Sequence, residues 1–455
     1  MIARLRNLVF FTASLLLLLF LAPTQISFAG TIGSAPCASA ASNSATATAL
    51  FDNFGSKCYV IFFSGSNSWT APTGVTLVDV LIIAGGGAGG SGAYSGGGGA
   101  GGIVLDTAFA VTPANSYALS VGDSGTPGPA NLTATTNQST NGGNSWFNSN
   151  SSLVAIGGGA GASYGYSDTT PGYPYCNGAS GGSGGGAPEC NHPGSTNAGG
   201  LSTQTLPAGA NLKFGNAGGG TATANNYSGG GGGGAGTVGS SSTSAGVPGN
   251  GGDGTNYFSS LLSKISGAMT GVPGWSSATS GGNIAGGGGG SSQGTNGTGG
   301  AGGGGASGTT PTYINGISGV PNTGSGGGGG TYYNGSSGVG GYGGSGLIVI
   351  TYSPILNSSI SISLAGNAAS ATYRTLISIN ATLVGSDGKV TFFQDDKRIP
   401  GCVSKPSASL VASCSWKPSN HRNVKLSARL VAGNGYVGSS SIAITVPVAP
   451  RIGRR

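Results

Sequence analysis

The stretch Val78-Asp-Val-Leu-Ile-Ile-Ala-Gly-Gly-Gly-Ala-Gly-Gly-Ser-Gly-Ala-Tyr-Ser-Gly-Gly-Gly-Gly-Ala-Gly-Gly-Ile103 sets the pattern for most of the chain. A short apolar run enters a glycine tract, and the tract returns into Ile103-Val-Leu105. Further tracts stand at Gly157–Gly161, Gly181–Gly186, Gly229–Gly236, Gly286–Gly290, Gly302–Gly305 and Gly326–Gly330. The series closes at Gly343-Gly-Ser-Gly-Leu-Ile-Val-Ile-Thr-Tyr352, where a tract runs back into a strand. Residues 58–352 therefore read as one glycine-rich domain of repeated strand-and-tract units.

Glycine supplies 97 of the 455 residues, roughly three times its average usage. Collagen is excluded, because the tracts keep no G-X-Y period and proline is only 21 of 455. Flexible disorder is the bland alternative that such a composition allows. Against it stand Val78–Ile83, Leu153–Ile156 and Leu347–Ile350, whose length and apolarity suit buried strands. An ordered domain is expected. Ordering glycine is entropically costly, so the tracts need a compensating geometry. A polyproline-II-like form has three residues per turn and no internal hydrogen bonds. Tracts of that form, lacking side chains, can pack closely and bond to one another through backbone N–H and C=O groups. Loops such as Tyr164–Pro193 and Tyr313–Tyr333, rich in Tyr and Asn, are expected to project from this layer.

The rest of the chain sorts by composition. Residues 1–29 have the order of a secretory signal peptide. Met1–Asn7 is short and basic, Leu8–Ala22 is apolar, and Ser27-Phe28-Ala29 offers a cleavage site. The apolar core of 15 residues is shorter than the roughly 20 needed to cross a bilayer, so cleavage is favoured over a membrane anchor. The protein is thus expected to be secreted or on the cell surface, with the membrane touched only by this peptide. Residues 30–57 are small and polar and read as a mobile lead-in. One helix is indicated, over Tyr257–Met269, where Leu261, Ile265 and Met269 repeat at helical spacing.

Beyond Pro354 glycine becomes ordinary, and strands recur at Ile360–Leu364, Thr375–Val384, Lys389–Gln394, Leu410–Trp416, Val424–Val431 and Ser441–Val446. That spacing predicts an immunoglobulin-like β-sandwich over 357–447, with Asp387-Gly388 as a hairpin turn and 448–455 as a basic tail. The fold class is accordingly mainly β.

Formal charge separates the regions. Residues 31–350 carry three Lys/Arg against seven Asp/Glu, whereas residues 351–455 carry twelve against three. The basic excess thus belongs to the C-terminal part, and it favours anionic surfaces such as wall polymers or lipid head groups. Export removes nucleic acid from the expected partners.

Six cysteines fall into three sequence-near pairs, Cys37 with Cys58, Cys176 with Cys190, and Cys402 with Cys414. An exported chain keeps disulfides, and an even count suits them. Near-neighbour pairing is one of 15 connectivities. A Cys190–His192 metal site lacks the accompanying CxxC or second histidine of a zinc site.

Apparent chemical motifs dissolve on inspection. Gly85, Gly87 and Gly90 imitate a dinucleotide fingerprint, with Asp106 at the acidic position. The mechanism needs a helix to follow, and Ser91-Gly-Ala-Tyr-Ser-Gly-Gly is a poor helix former. Gly251-Gly-Asp-Gly-Thr255 matches a calcium β-roll fragment but occurs once. Glu189 is the only glutamate, and His192 and His421 stand in different domains. No carboxylate pair or nucleophile triad assembles from these residues. Asp395-Asp396-Lys397-Arg398 reads as a solvated hairpin tip. Neither catalysis nor a cofactor is expected.

Three stretches together resemble a glycine-rich domain family of large bacterial surface proteins and phage tail proteins. They are Trp69-Thr-Ala-Pro-Thr-Gly-Val-Thr76, Val78-Asp-Val-Leu-Ile-Ile-Ala-Gly-Gly-Gly87 and Gly343-Gly-Ser-Gly-Leu-Ile-Val-Ile-Thr-Tyr352. By looser analogy, glycine-rich phage tail-tip adhesins build polyglycine-II layers that carry receptor-binding loops. Gly388-Lys-Val-Thr-Phe-Phe393, Ile399-Pro-Gly-Cys402 and Ser413-Cys-Ser-Trp416 are similar to bacterial Ig-like repeats, a resemblance that implies a Cys402–Cys414 pair. The expectation is a surface adhesin or binding protein. Its partner would be a cell-surface glycan, a wall polymer or a receptor on a host or neighbouring cell. A structural envelope or matrix component is the alternative, and a flat ice- or polysaccharide-surface binder a third.

Overall fold

The computed structural model describes residues 30–451 except 35, 53–55, 131–137, 165–175, 191–196, 222–226, 312–313 and 434–435. The expected signal peptide, His192 and the last four residues of the basic tail lie outside the described residues. Within them, no helix is long and apolar enough to cross a membrane.

Two six-stranded sheets share a core at the base of the glycine-rich unit. In chain order their strands are β1 (Gly30–Ile32), β2 (Ser39–Ala41), β3 (Ala47–Asp52), β4 (Lys57–Phe62), β5 (Gly65–Thr70), β6 (Leu77–Ile83), β7 (Ile103–Ala110), β8 (Ser116–Val121), β9 (Ser145–Phe147), β10 (Leu153–Ala155), β11 (Leu212–Phe214) and, after a short hairpin of β12 (Tyr332–Tyr333) and β13 (Ser336–Ser337), β14 (Leu347–Tyr352). One sheet runs β1-β2-β5-β8-β9-β10 and the other β11-β7-β6-β14-β4-β3. Val60, Phe62, Val80, Ile82, Ile348 and Ile350 of the second sheet meet Trp69, Leu119 and Phe147 of the first.

The alternate residues of the second sheet, Ile61, Leu81, Ile83, Leu347 and Val349, pack on Phe258, Leu262, Ile265, Met269 and Trp275. These come from α1 (Ser259–Ile265), the 3-10 turn Ser266–Met269 and α2 (Trp275–Ala278). Both faces of β6 and β14 are thus covered, which explains their unbroken apolar runs. Ile265 and Met269 are buried as the spacing implied, but the third buried position is one residue later than expected. Leu262 is buried, whereas Leu261 is only half-buried.

The expected mobile lead-in is folded. β1, β2 and β3 occupy sheet positions, and Ala47–Asp52 pairs along its length with Lys57–Phe62. Its small residues suit edge strands pressed against a wider sheet, and Cys37 is bonded to Cys58 of β4 at a Cα separation of 5.4 Å.

Above this base the glycine tracts run back and forth without forming strands. Their hydrogen bonds have a period of three. The N–H groups of Gly85, Gly86 and Gly87 donate to the carbonyls of Gly143, Gly344 and Gly99 at 3.0, 2.8 and 2.9 Å. Three residues on, Ala88, Gly89 and Gly90 donate to Thr140, Gly341 and Gly96 at 3.2, 2.9 and 2.9 Å. Each residue therefore addresses a different neighbour, and every third residue returns to the same one. Carbonyls do likewise. Gly85 and Ala88 accept from Gly158 and Gly161, while Gly87 and Gly90 accept from Gly327 and Gly330. This is three-fold polyglycine-II packing, in which each inner tract is surrounded by others. The geometry excludes side chains. A Cβ on Gly86 would lie 2.0 Å from the Ser325 carbonyl oxygen, and one on Gly89 2.0 Å from that of Gly328. Ala100, Ala235 and Ala285 are tolerated where the tracts meet the apolar layer beneath.

The C-terminal residues form a second β-sandwich. Ser359–Leu364, Ile377–Val384 and Val411–Trp416 make one sheet. Gly388–Gln394 and Val424–Ala432 are central to the other, with Ile444–Val446 at its edge. Ile379, Phe392, Trp416 and Leu426 meet in one core, with Cys402 bonded to Cys414. Asp387-Gly388 is not a hairpin turn. The strands it joins belong to different sheets, and Asp387 Oδ1 accepts the Leu410 N–H at 2.9 Å to pin the crossing. Asp395-Asp396 is the hairpin tip, both residues taking positive φ. The tail begins inside the fold, since Val448–Ala449 pairs with Ala371–Thr372.

Candidate functional site

Following each tract away from the sandwich leads to a single end of the bundle. Gly85–Gly90 leaves β6 and turns at 91–95, and Gly96–Gly102 returns to β7. The antiparallel and parallel register of the backbone bonds places the turns at 163–164, 188–190, 227–228, 244–247, 292–296 and 331–338 at this same end. The Gly92–Gly338 and Ser228–Ser292 bridges tie them laterally. At the opposite end, Ala100, Ala235 and Ala285 of the tracts meet the apolar layer of sandwich and helices.

At this tip the tracts stop, so backbone donors lose their polyglycine partners and hydroxyls replace them. Ser163 Oγ accepts the Ser91 N–H at 2.9 Å, Ser291 Oγ accepts the Ser95 N–H at 2.8 Å, and Ser91 Oγ accepts the Gly340 N–H at 3.0 Å. Ser91, Ser95, Ser163 and Ser291 are all buried. Over this belt sits an aromatic cluster. Tyr94 meets Tyr164 edge-on at 5.2 Å and Tyr227 at 5.5 Å. Glu189 is buried beside it, its N–H donating to the Tyr94 carbonyl at 3.1 Å. Burial, then the charge of Glu189 and the neighbouring phenols, pushes the Tyr94 hydroxyl up to about 12. The Tyr94 phenol is therefore neutral and packed among other rings. Tyr227 is the exposed member of the cluster, at 47%, and Tyr333, exposed at 38%, stands on the 331–338 turn of the same end.

Cys176 and Cys190, with a Cα separation of 5.5 Å, join two turns of the tip. All six cysteines are therefore bonded to their sequence neighbours, and three disulfides indicate an oxidising environment outside the cytoplasm. The expected projecting loops shrink considerably. Within Tyr164–Pro193 and Tyr313–Tyr333, residues 178–187 and 315–330 are packed tract, and 165–175, 191–193 and 313 lie outside the described residues.

The other candidate motifs sit in the bundle. Gly85, Gly87 and Gly90 open no helix and are enclosed by other tracts, and Asp106 lies on β7. Asp253 accepts the Ala301 N–H at 2.8 Å instead of joining a ligand set. Among the described residues no group of three His, Cys, Asp or Glu could hold a metal ion.

A repeated signal went unread in the sequence. Asn141-Gly-Gly-Asn144, Asn177-Gly-Ala-Ser180, Asn250-Gly-Gly-Asp253 and Asn315-Gly-Ile-Ser318 share the form Asn-Gly-x-(Asn/Ser/Asp). In each, the first and fourth side chains accept N–H groups of the adjacent tract. Asn250 and Asp253 take Thr298 and Ala301 at 2.9 and 2.8 Å, and Asn141 and Asn144 take Ala160 and Gly157 at 2.8 Å. Asn177 with Ser180 and Asn315 with Ser318 do the same for Ala198, Leu201, Val339 and Tyr342. Asn141–Asn144 is thus a tract segment.

Comparison with curated proteins returns no match. A family model described as a glycine-rich domain matches residues 62–353, from the end of β4 to just past β14. The chain belongs to this glycine-rich domain family.

Proposed function

We propose that this is a non-catalytic, exported binding protein of the cell surface, an adhesin whose ligand docks on the tip of the polyglycine bundle. The observation that carries the reading is the convergence of the tract turns, with their tyrosines, at the end opposite the sandwich. Tyrosine offers large amphipathic contact area at small entropic cost, and it is enriched in protein recognition surfaces. The scaffold beneath is fixed by backbone bonds, so the tip is presented rigidly and little ordering entropy opposes binding. Residues 1–29 serve as the export signal. The C-terminal sandwich is of immunoglobulin type and acts as a spacer. The ligand is a cell-surface glycan, a wall polymer or a receptor on another cell, and not nucleic acid.

The test is binding of the mature full-length protein to intact bacterial cells and to a glycan array. Saturable binding is expected, weakened at least about tenfold when Tyr227 and Tyr333 are both replaced by Ser, as for truncated interface anchors. Replacing Tyr342, exposed at 53% on the flank of the bundle, should leave binding intact. Absence of saturable binding would leave the structural envelope role instead.

A further inference from the structure

A cleft of 590 Å³ opens at one end of the C-terminal sandwich, far in character from the tyrosine tip. Its walls carry Lys397, Arg398, Lys417 and Arg422, against one carboxylate, Asp395. That carboxylate is already committed. Its oxygens accept the Lys425 N–H at 3.0 Å and Arg422 Nη2 at 3.2 Å. The salt bridges of the described residues are Lys57–Asp79, Lys264–Asp52 and Arg422–Asp395. Lys397, Arg398 and Lys417 therefore face the cleft without a carboxylate partner among the described residues. All three are exposed, Lys397 and Arg398 on a short strand of one sheet and Lys417 just past Val411–Trp416 of the other, with Ser415, Ser419 and Asn420 as neutral hydrogen-bonding groups of the same cleft. Buried Trp416 forms the floor and is fixed by its indole N–H, which donates to Gln394 Oε1 at 2.9 Å.

Cations clustered without counter-charges repel one another, so the arrangement is unfavourable unless an anion shares it. A concave site with charges on opposing walls suits a narrow chain better than a flat bilayer surface. We infer that this cleft binds a linear polyanion carrying phosphodiester groups along its length, and so holds the C-terminal domain to an anionic polymer. Arg398 offers the forked donor set that matches phosphate oxygens, and the two lysines supply point charges on either side. The inference stands apart from the tip, since it rests only on the C-terminal sandwich.

The mature full-length protein is titrated with a short poly(glycerol phosphate) oligomer, and in a second arm with vesicles of phosphatidylglycerol in phosphatidylcholine. Oligomer binding should fall linearly on a log–log salt plot, with a slope near −2 for about three phosphate contacts. The triple variant K397Q/R398Q/K417Q should bind the oligomer about tenfold more weakly, as expected for three exposed ion pairs. A control variant, K389Q/K405Q/R429Q, removes the same charge from elsewhere on the domain and should bind as wild type. Equal loss in both variants would overturn the cleft in favour of diffuse attraction. No oligomer binding, or binding to anionic vesicles alone, would overturn the polymer assignment.

Discussion

Gly98 lies in the middle of the bundle and isolates the packing claim in one atom. Its N–H donates to Gly327 at 2.8 Å, and its carbonyl accepts from Gly288 at 2.8 Å. A Cβ added there would stand 2.2 Å from the Gly87 oxygen and 2.7 Å from the Ala88 oxygen, where real contacts essentially never fall below 3.0 Å. The 87–88 segment must therefore retreat by about 1 Å, and its own bonds are already at ordinary lengths. Gly87 N–H donates to Gly99 at 2.9 Å, the Gly87 carbonyl accepts from Gly327 at 3.0 Å, and the Ala88 carbonyl accepts from Gly161 at 2.8 Å. Such a shift carries two or three of these past useful length, and each buried group left unpaired costs about 1–3 kcal/mol. Alanine's smaller unfolded-state entropy offsets only about 0.4–1 kcal/mol. Gly98→Ala is expected to destabilise by about 3–5 kcal/mol, and to lower the melting temperature on the order of 10 °C. Gly267→Ala is the control. Nothing lies within 4 Å of its Cβ, so it should be neutral or stabilising by up to about 1 kcal/mol. Thermal and denaturant unfolding of the oxidised protein decide the matter. Equal stability of the two variants would refute polyglycine packing, as would amide exchange in Gly85–Gly90 as fast as in an unstructured peptide.

Asn144→Ala should cost about 1–3 kcal/mol, because it orphans the buried Gly157 N–H. Asn250→Ala should cost only about 0.5–1.5 kcal/mol, since its partner Thr298 is exposed and water can replace the amide. Unfolding midpoints check both. Replacing Cys176 and Cys190 by Ala should remove about 3 kcal/mol in the chain-entropy model, given their separation of 14 residues. The loss should appear as faster amide exchange at the tip, with the sandwich unchanged. Tyr94 and Tyr352 are both raised, mainly by burial, from 10.0 to about 12. The unfolded chain releases these protons first, so their contribution is fully present below pH 10 and lost as pH rises toward 12. Spectrophotometric alkaline titration should find these two phenols ionising last, and Tyr94→Phe should flatten the alkaline fall in stability.

The strands were legible because they obey rules local to themselves. Ser116–Val121 alternates, and Val80–Ile83 of β6 and Leu347–Ile350 of β14 are apolar throughout because helix covers one face and sheet the other. The polyglycine form was legible as a class, from glycine content and tract length alone. Register was not, because a run such as Gly229–Gly234 contains no residue that distinguishes one three-residue slip from another. The Asn-Gly-x-Asn/Ser/Asp segments could have supplied it, since a side chain every third residue marks which face of a tract is outermost. Residues 30–52 were misjudged for a different reason. Ala, Ser and Thr carry little periodic signal, yet the Cys37–Cys58 bond and six paired residues fix them to β4. Asp387-Gly388 has hairpin composition, and only tertiary pairing shows that the chain changes sheets there.

The Asn-bearing segments also solve a problem that the packing creates. A polyglycine tract offers donors in three directions, so an uncovered flank is an invitation to another chain, as an open sheet edge is. Placing Asn, Ser or Asp at every third position folds that side chain onto the neighbouring N–H and closes the lattice at a finite width. The bundle is then held together by backbone groups inside and short polar side chains at its margin and tip, none of them Tyr227 or Tyr333. Substitutions at Tyr227 or Tyr333 touch neither set, so tip sequence can change without cost to the scaffold. Stability that is independent of the tip suits the binding role proposed for it. The same independence makes the prediction sharp: tip variants should lose binding at unchanged melting temperature, whereas Gly98→Ala should lose both.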